Sequence, residues 1–265
     1  MKSVKAKKSL GQHFLIDESI AKRIVDSLVL PEKADKIEVL EIGPGTGVLT
    51  KYLLAEPQIR LDVAEIDRDS IAYLKSEYPQ LTPSLYERDF LAMDLARLFN
   101  NPFYIIGNFP YNISSQIFFK VLDYRDMVPQ IVCMLQKEVA ERLASKPGNK
   151  AYGILSVLLQ AWFNIEYLFT VQENVFNPPP KVKSGVIRLT RNSRTTLDCD
   201  EILFKQIIKT CFNQRRKTIR NSIKTILSPL PAEKTVAVLN SPLMTQRPEQ
   251  LSVEEFVILT QLCRQ

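Results

Sequence analysis

The chain has one histidine, His13, so neither a histidine-based metal centre nor a Ser-His-Asp triad is expected of it. Its four cysteines, Cys133, Cys199, Cys211 and Cys263, are scattered, with no C-x-x-C pair, zinc-ligand spacing or disulfide framework. Reduced thiols in a cytosolic protein are the simplest account, so a cytoplasmic protein without a metal is expected. No apolar run reaches the length of a membrane span, and the basic N-terminus lacks the apolar segment of a secretion signal, so no membrane partner is expected. Internal repeats and low-complexity tracts are missing too. The length, 265 residues, is enough to bury one large core and a small satellite domain.

The informative residues stand at the ends of apolar runs. Phe103-Tyr104-Ile105-Ile106-Gly107 reads as a buried strand and is followed at once by Asn108-Phe109-Pro110-Tyr111. This places an amide, a rigid backbone carbonyl and an aromatic face at a strand's carboxyl end, where open α/β sheets bind ligands. The grouping suits an amino group on a flat ring, and it equally suits a plain strand-to-loop turn. Upstream, a strand over Ile37 to Ile42 runs into Gly43-Pro44-Gly45-Thr46-Gly47 and then a helical stretch from Val48 to Ala55. The spacing is G-x-G-x-G, not the dinucleotide G-x-G-x-x-G. A second strand, Ile59 to Glu65, ends in Glu65, 22 residues after Gly43, where a Rossmann-like unit places the acid that accepts ribose hydroxyls. A third, about Ser84 to Arg88, ends in Asp89-Phe90, suited to an exocyclic amine and a ring; Asp89 alone also reads as a helix N-cap. Gly43, Glu65, Asp89 and Asn108 thus form an ordered array at one sheet edge. S-adenosylmethionine fits this array better than NAD, since a methyl-acceptor site follows and no hydride-transfer constellation is present.

The formal charge of +6 is modest, but its distribution is uneven. Lys2, Lys5, Lys7 and Lys8 form a basic arm, and Lys209 to Lys224 contains six basic residues and no acid. As one helix, the latter stretch would put Phe212, Ile219, Ile223 and Ile226 on an apolar face and Arg216, Arg220 and Lys224 on a basic ridge. Such a ridge is often only a wet face; beside an adenine site, phosphate binding is the better reading. Residues 17 to 30 read as an amphipathic helix, strand-helix units alternate from Ile37 to Leu135, and two last strands are predicted at about Asn164 to Val171 and Gly185 to Thr190. Residues 192 to 200 read as a linker to a small helical domain.

Four strings occur in an order that carries a family resemblance: Lys8-Ser9-Leu10-Gly11-Gln12-His13-Phe14-Leu15, Glu41-Ile42-Gly43-Pro44-Gly45, Gly107 to Ser114, and Phe176-Asn177-Pro178-Pro179-Pro180-Lys181-Val182. With Phe212 to Ser222 near the C-terminus, the chain resembles, over nearly its whole length, the KsgA-type family of small-subunit ribosomal RNA adenine N6,N6-dimethyltransferases. Phe109 stands where the family usually has Leu, and His13 where it often has Asn. The resemblance implies an α/β fold: a Rossmann-like class I methyltransferase sheet with helices on both faces, and a small all-helical C-terminal domain. The expected division is 1–191 (with a basic arm at 1–9), linker 192–200 and an RNA-binding helical domain at 201–265. It implies S-adenosylmethionine contacts from His13, Leu15, Gly43, Gly45, Glu65, Asp89 and Asn108. It implies catalytic roles for Asn108, Pro110, Tyr111 and Phe176, with Phe176 opposite Tyr111 across the target base, and RNA contacts from Arg215, Arg216, Lys217, Arg220 and Lys224. The expected partner is 16S rRNA within the small ribosomal subunit or its late precursor, met by a monomer and dimethylated at two adjacent adenosines of the 3′-terminal hairpin, with a role in subunit biogenesis. The alternatives are another nucleic-acid amino methyltransferase, acting on large-subunit rRNA or DNA, and a non-catalytic binding protein.

Overall fold

Strand β2 (Ile37–Ile42) is buried at all six positions, as befits a parallel strand covered on both faces. The computed structural model describes residues 4–32 and 36–264; Lys2 of the basic arm lies outside them. The other strands are β1 (Phe14–Leu15), β3 (Ile59–Glu65), β4 (Leu85–Glu87), β5 (Phe103–Asn108), β6 (Gln130–Gln136), β7 (Phe163–Val171), β8 (Phe176–Asn177) and β9 (Ser184–Arg191). Seven of them form one sheet in the order β4-β3-β2-β5-β6-β9-β7. The ladders from β4 through β6 are parallel, and β9 pairs antiparallel with β6. Chain order reverses between β2 and β5, the switch point at which such sheets bind ligands. The separate β1–β8 ladder pairs Leu15 with Phe176.

The helices are α1 (Glu18–Val25), α2 (Thr50–Ala55), α3 (Arg68–Glu77), α4 (Leu95–Leu98), α5 (Ser114–Asp123), α6 (Lys137–Ala144), α7 (Ile154–Gln160), α8 (Glu201–Asn213), α9 (Ile219–Ser222), α10 (Lys224–Leu227), α11 (Ala232–Leu239) and α12 (Val253–Leu262). Asp17 caps α1 through the amides of Ser19 and Ile20, and Asp67 caps α3 through that of Asp69. Ile24 of α1, Leu53 of α2, Val39 of β2 and Val63 of β3 share one buried cluster.

The chain divides into two compact units, 1–141 with 164–191 and 142–163 with 192–265. This corrects the expected division, because 142–163 joins the C-terminal helices and 192–200 is no free linker. Tyr152, fully buried, lies 6.4 Å from the Phe212 ring, which lies 6.1 Å from Phe256. Arg194 pairs with Glu254 at 2.9 Å, and Gln261 Nε2 donates to the Asp198 carbonyl at 2.6 Å. A helical pattern says that a stretch has an apolar face, not which core receives it.

The single helix read through Lys209 to Lys224 is also corrected. Helix α8 ends at Asn213, a turn follows, and α9 begins at Ile219. Gln214 closes the break, donating from Nε2 to the Ser222 carbonyl at 3.1 Å, while Ile219 N–H donates to the distant Gln246 carbonyl at 2.8 Å. Ile219, Ile223 and Ile226 are buried as their spacing predicts, but Arg216 stands on the turn, apart from Arg220 and Lys224.

Candidate active site

The residues after β2, β3, β4 and β5 meet around one cavity, walled on another side by Leu10 to Phe14 of the N-terminal segment. Gly43 (φ +67°) and Gly45 (φ +56°) take left-handed conformations in the loop after β2. A Cβ on Gly45 would lie 2.8 Å from Phe14, whereas one on Gly43 would meet nothing nearer than Pro110 at 4.0 Å and would project into the cavity.

Glu65 ends β3 and is buried. Its Oε1 accepts the amides of Ile66 at 2.8 Å and Asp67 at 2.9 Å, and its Oε2 accepts that of Gly45 at 3.1 Å. Burial raises its pKa, opposed by these three donors. Three amides leave one lone pair free of the roughly four that a carboxylate offers, so a ribose hydroxyl can still be accepted. Asp89 has the cap role foreseen for it, accepting from Leu91 N–H at 2.9 Å, and also lines the cavity. The cradle of small residues, the acid on its floor and the acid at its far side fit an adenosine-bearing cofactor.

Asn108 ends β5. Its Nδ2 donates to the His13 carbonyl at 2.9 Å, and because a carbonyl only accepts, this contact fixes which way the amide points. Oδ1 is then the free end, without a donor among the described residues. The Pro110 carbonyl accepts Ile113 N–H at 3.2 Å and keeps a second lone pair. The Tyr111 hydroxyl lies 2.6 Å from Ser184 Oγ, and burial keeps it a neutral phenol by raising its pKa, against a smaller opposing effect of Ser184. Phe109 is buried with its ring edge-on to Phe118 at 5.8 Å, so the variant residue backs the site from the core.

His13, Gly43, Gly45, Glu65, Asp89, Asn108, Pro110 and Tyr111 are therefore brought together around the cavity. Leu15 and Phe176 are not. They pair across β1 and β8 with both side chains in the core, 2% and 3% exposed, and neither lines the cavity. The ring against Tyr111 belongs to His13, at 5.6 Å between centroids and 30° between planes, with Nδ1 donating to the Pro178 carbonyl at 2.8 Å. Gln12, Ile66, Leu91 and Asn112 also line the cavity and were not singled out by sequence; each lies within three residues of one that was. The N-terminal segment is latched in place: Lys7 pairs with Asp67 and, at 2.7 Å, with Asp69, and Gln12 Nε2 donates to Asp67 at 3.2 Å.

Within the second unit, Arg216, Lys217, Arg220 and Lys224 are exposed. Arg215, partly exposed, donates to the Lys150 carbonyl, with Glu249 3.9 Å away. Arg220 donates to the Leu239 carbonyl at 2.6 Å and Lys217 to Gln214 at 2.9 Å.

A family model described as ribosomal RNA adenine dimethylase matches residues 3–261. Ribosomal RNA small subunit methyltransferase A of Bacteroides thetaiotaomicron is 57% identical over 262 residues, covering 98% of this chain and 94% of that protein. The protein of the same name from Porphyromonas gingivalis is 54% identical over 267 residues and covers 100% of both chains. Among solved structures, a dimethyladenosine transferase from Plasmodium falciparum superposes with a TM-score of 0.77 at 26% identity, over 93% of this chain and 96% of that one. The 23S rRNA methyltransferase ErmE superposes with a TM-score of 0.67 at 25% identity, over 94% and 99%.

Proposed function

Because the chain belongs to the ribosomal RNA adenine dimethylase family, we propose that it dimethylates N6 of two adjacent adenosines in the 3′-terminal hairpin of 16S rRNA, within the small subunit or its late precursor. The observation that carries this reading is the orientation of Asn108: its Nδ2 is taken by the His13 carbonyl, which leaves Oδ1 as an acceptor beside the Tyr111 ring.

Bound in the cavity, S-adenosylmethionine supplies an electrophilic methyl group. Glu65 would hold one ribose hydroxyl through its remaining lone pair, Asp89 would hold the adenine amine of the cofactor, and the Gly43–Gly45 loop would give the room. The N6 lone pair of the target adenine is delocalised into its ring, so the free amine is a poor nucleophile. Asn108 Oδ1 and the Pro110 carbonyl accept the two N6 hydrogens and turn the lone pair out of the ring plane, while Tyr111 stacks on the base. The N6 proton leaves after transfer, and no strong base is required of the chain. A second round repeats these steps on the monomethylated amine, which offers one hydrogen instead of two. The base must leave its stack to reach the site, so a single-stranded loop or an opened hairpin is the expected substrate. The exposed Arg216, Lys217, Arg220 and Lys224 suit the phosphate backbone.

The test is methyl transfer from labelled cofactor to small subunits lacking the modification, with product nucleosides mapped by mass spectrometry. Dimethyladenosine at the two adjacent hairpin positions is expected. Methylation elsewhere overturns the substrate, and no transfer to subunits, large-subunit rRNA or DNA leaves a binding protein.

A further inference from the structure

Tyr111 is held at its far end by a residue from another part of the chain. Its hydroxyl lies 2.6 Å from Ser184 Oγ, and Ser184 is fully buried. Ser184 is the first residue of β9, opposite Gln136 of β6, so the bond runs from the loop after β5 to a strand two places away in the sheet. The Ser184 end is rigid. The preceding carbonyl, of Lys183, accepts Lys137 N–H at 2.9 Å, and the following residue, Gly185, is packed so closely that a Cβ there would lie 2.8 Å from Ala140 and 2.9 Å from Tyr167. The other end of the bond is a ring whose only chemical task in the site is to present a face.

We propose that Ser184 is a positioning residue for methyl transfer, fixing the Tyr111 ring so that the N6 of a stacked adenine lies against Asn108 Oδ1. This rests on the function proposed above. A tyrosine ring turns about two side-chain torsions, and stacking on one ring face contains nothing to stop that turn. A hydrogen bond from the ring's far end to a strand does. The second methylation depends on it most. The monomethylated amine has one N–H left for the two acceptors, so the ring bears more of the alignment than in the first round.

The test is a double-mutant cycle with Ser184→Ala and Tyr111→Phe, each deleting the bond from one side while the ring stays. Transfer to unmodified small subunits, the ratio of monomethyl- to dimethyladenosine, and cofactor Kd are measured. Each single variant is expected to lower kcat/KM for the subunit about fivefold to tenfold, the loss typical of one hydrogen bond. The monomethyl fraction rises, cofactor Kd is unchanged, and the double variant is no worse than either single one. A purely structural Ser184 would give losses that add in the double variant, or an unaltered product ratio, and either overturns the proposal. Should Ser184→Ala fail to fold, Tyr111→Phe alone decides: wild-type rate and product ratio in that variant overturn the positioning role. The wild-type protein is assayed first. No transfer by it overturns the proposed function, whereas transfer by it and undiminished transfer by both variants overturns the role of Ser184 alone.

Discussion

The side-chain amide of Asn108 has a donor end and an acceptor end, and the His13 carbonyl takes the donor. Replacing Asn108 by Ala removes the Oδ1 acceptor proposed to face the target amine, together with the bond to the His13 carbonyl. Single-turnover transfer is expected to fall by about two to three orders of magnitude, the usual loss of one preorganised polar group. Cofactor affinity, read by calorimetry, is expected to change little, and wild-type turnover would remove Asn108 from the chemistry. A second residue-scale effect comes from Glu41, buried beneath the glycine loop with Oε2 accepting from Thr50 at 2.7 Å. Burial, only partly offset by that hydrogen bond, pushes its pKa up to about 8 from the usual 4.5. Between those values the folded protein keeps a proton that the unfolded chain has lost. Stability therefore falls as pH rises from 4.5 to about 8 and levels off above, with a slope of no more than about 1.4 kcal/mol per pH unit for one proton. Glu41→Gln has no such proton to lose. Its urea midpoint is expected to exceed that of the wild type at pH 8.5 and to approach it at pH 5; parallel profiles would mean that Glu41 is ionised in the fold.

At the scale of the element, the N-terminal segment is the feature whose role depends on long-range contacts. Residues 10 to 14 wall the cavity, while β1 pairs with β8 and Lys7 reaches Asp67 and Asp69 at the start of α3. Lys7→Glu places like charges at this latch. Cofactor Kd is expected to rise about twofold to fivefold at low salt, since Lys7 is itself exposed although its partner Asp67 is buried, and the difference from wild type is expected to shrink as salt is added. A salt-independent difference would point to packing instead of charge. Strands β2 and β3 were legible to the residue, since each is a short run rich in Ile, Val and Leu with a glycine or an acid at its end, even though Glu38, Glu41, Arg60 and Asp62 interrupt the apolar residues. The β1–β8 ladder was not, because two-residue strands far apart in the chain carry no periodicity of their own, and the burial of Phe176 in that ladder could not be read from spacing. The break after α8 was hidden for a related reason. The apolar spacing of Phe212, Ile219, Ile223 and Ile226 runs on as if the helix did, while the turn is closed by Gln214 and by a carbonyl at Gln246. The candidate site was read more fully than the fold around it, because its residues sit where strands end. Ser184 was missed because it lies 73 positions from the ring it holds.

For the whole molecule, the candidate site and the clustered basic residues fall in different units. The cavity is lined entirely by the first unit, and the exposed Arg216, Lys217, Arg220 and Lys224 belong to the second. A net charge of +6 spread evenly would steer any polyanion weakly; six basic residues with no acid between Lys209 and Lys224 make a local field. These residues are not equivalent. Arg215 is committed within its own unit, and Arg220 donates to the Leu239 carbonyl, so charge reversal at either would also disturb the fold. Arg216 and Lys224 are exposed and have no partner among the described residues, which makes them the clean probes. The double variant Arg216→Glu, Lys224→Glu is expected to bind small subunits more weakly and to flatten the dependence of log K on log salt by about 0.7 to 0.9 for each phosphate that it no longer neutralises. Its cofactor Kd is expected to match that of the wild type, because no cavity-lining residue is altered. An unchanged salt slope would make these side chains solvated surface. A changed cofactor Kd would show instead that charge on the second unit acts on the cavity in the first.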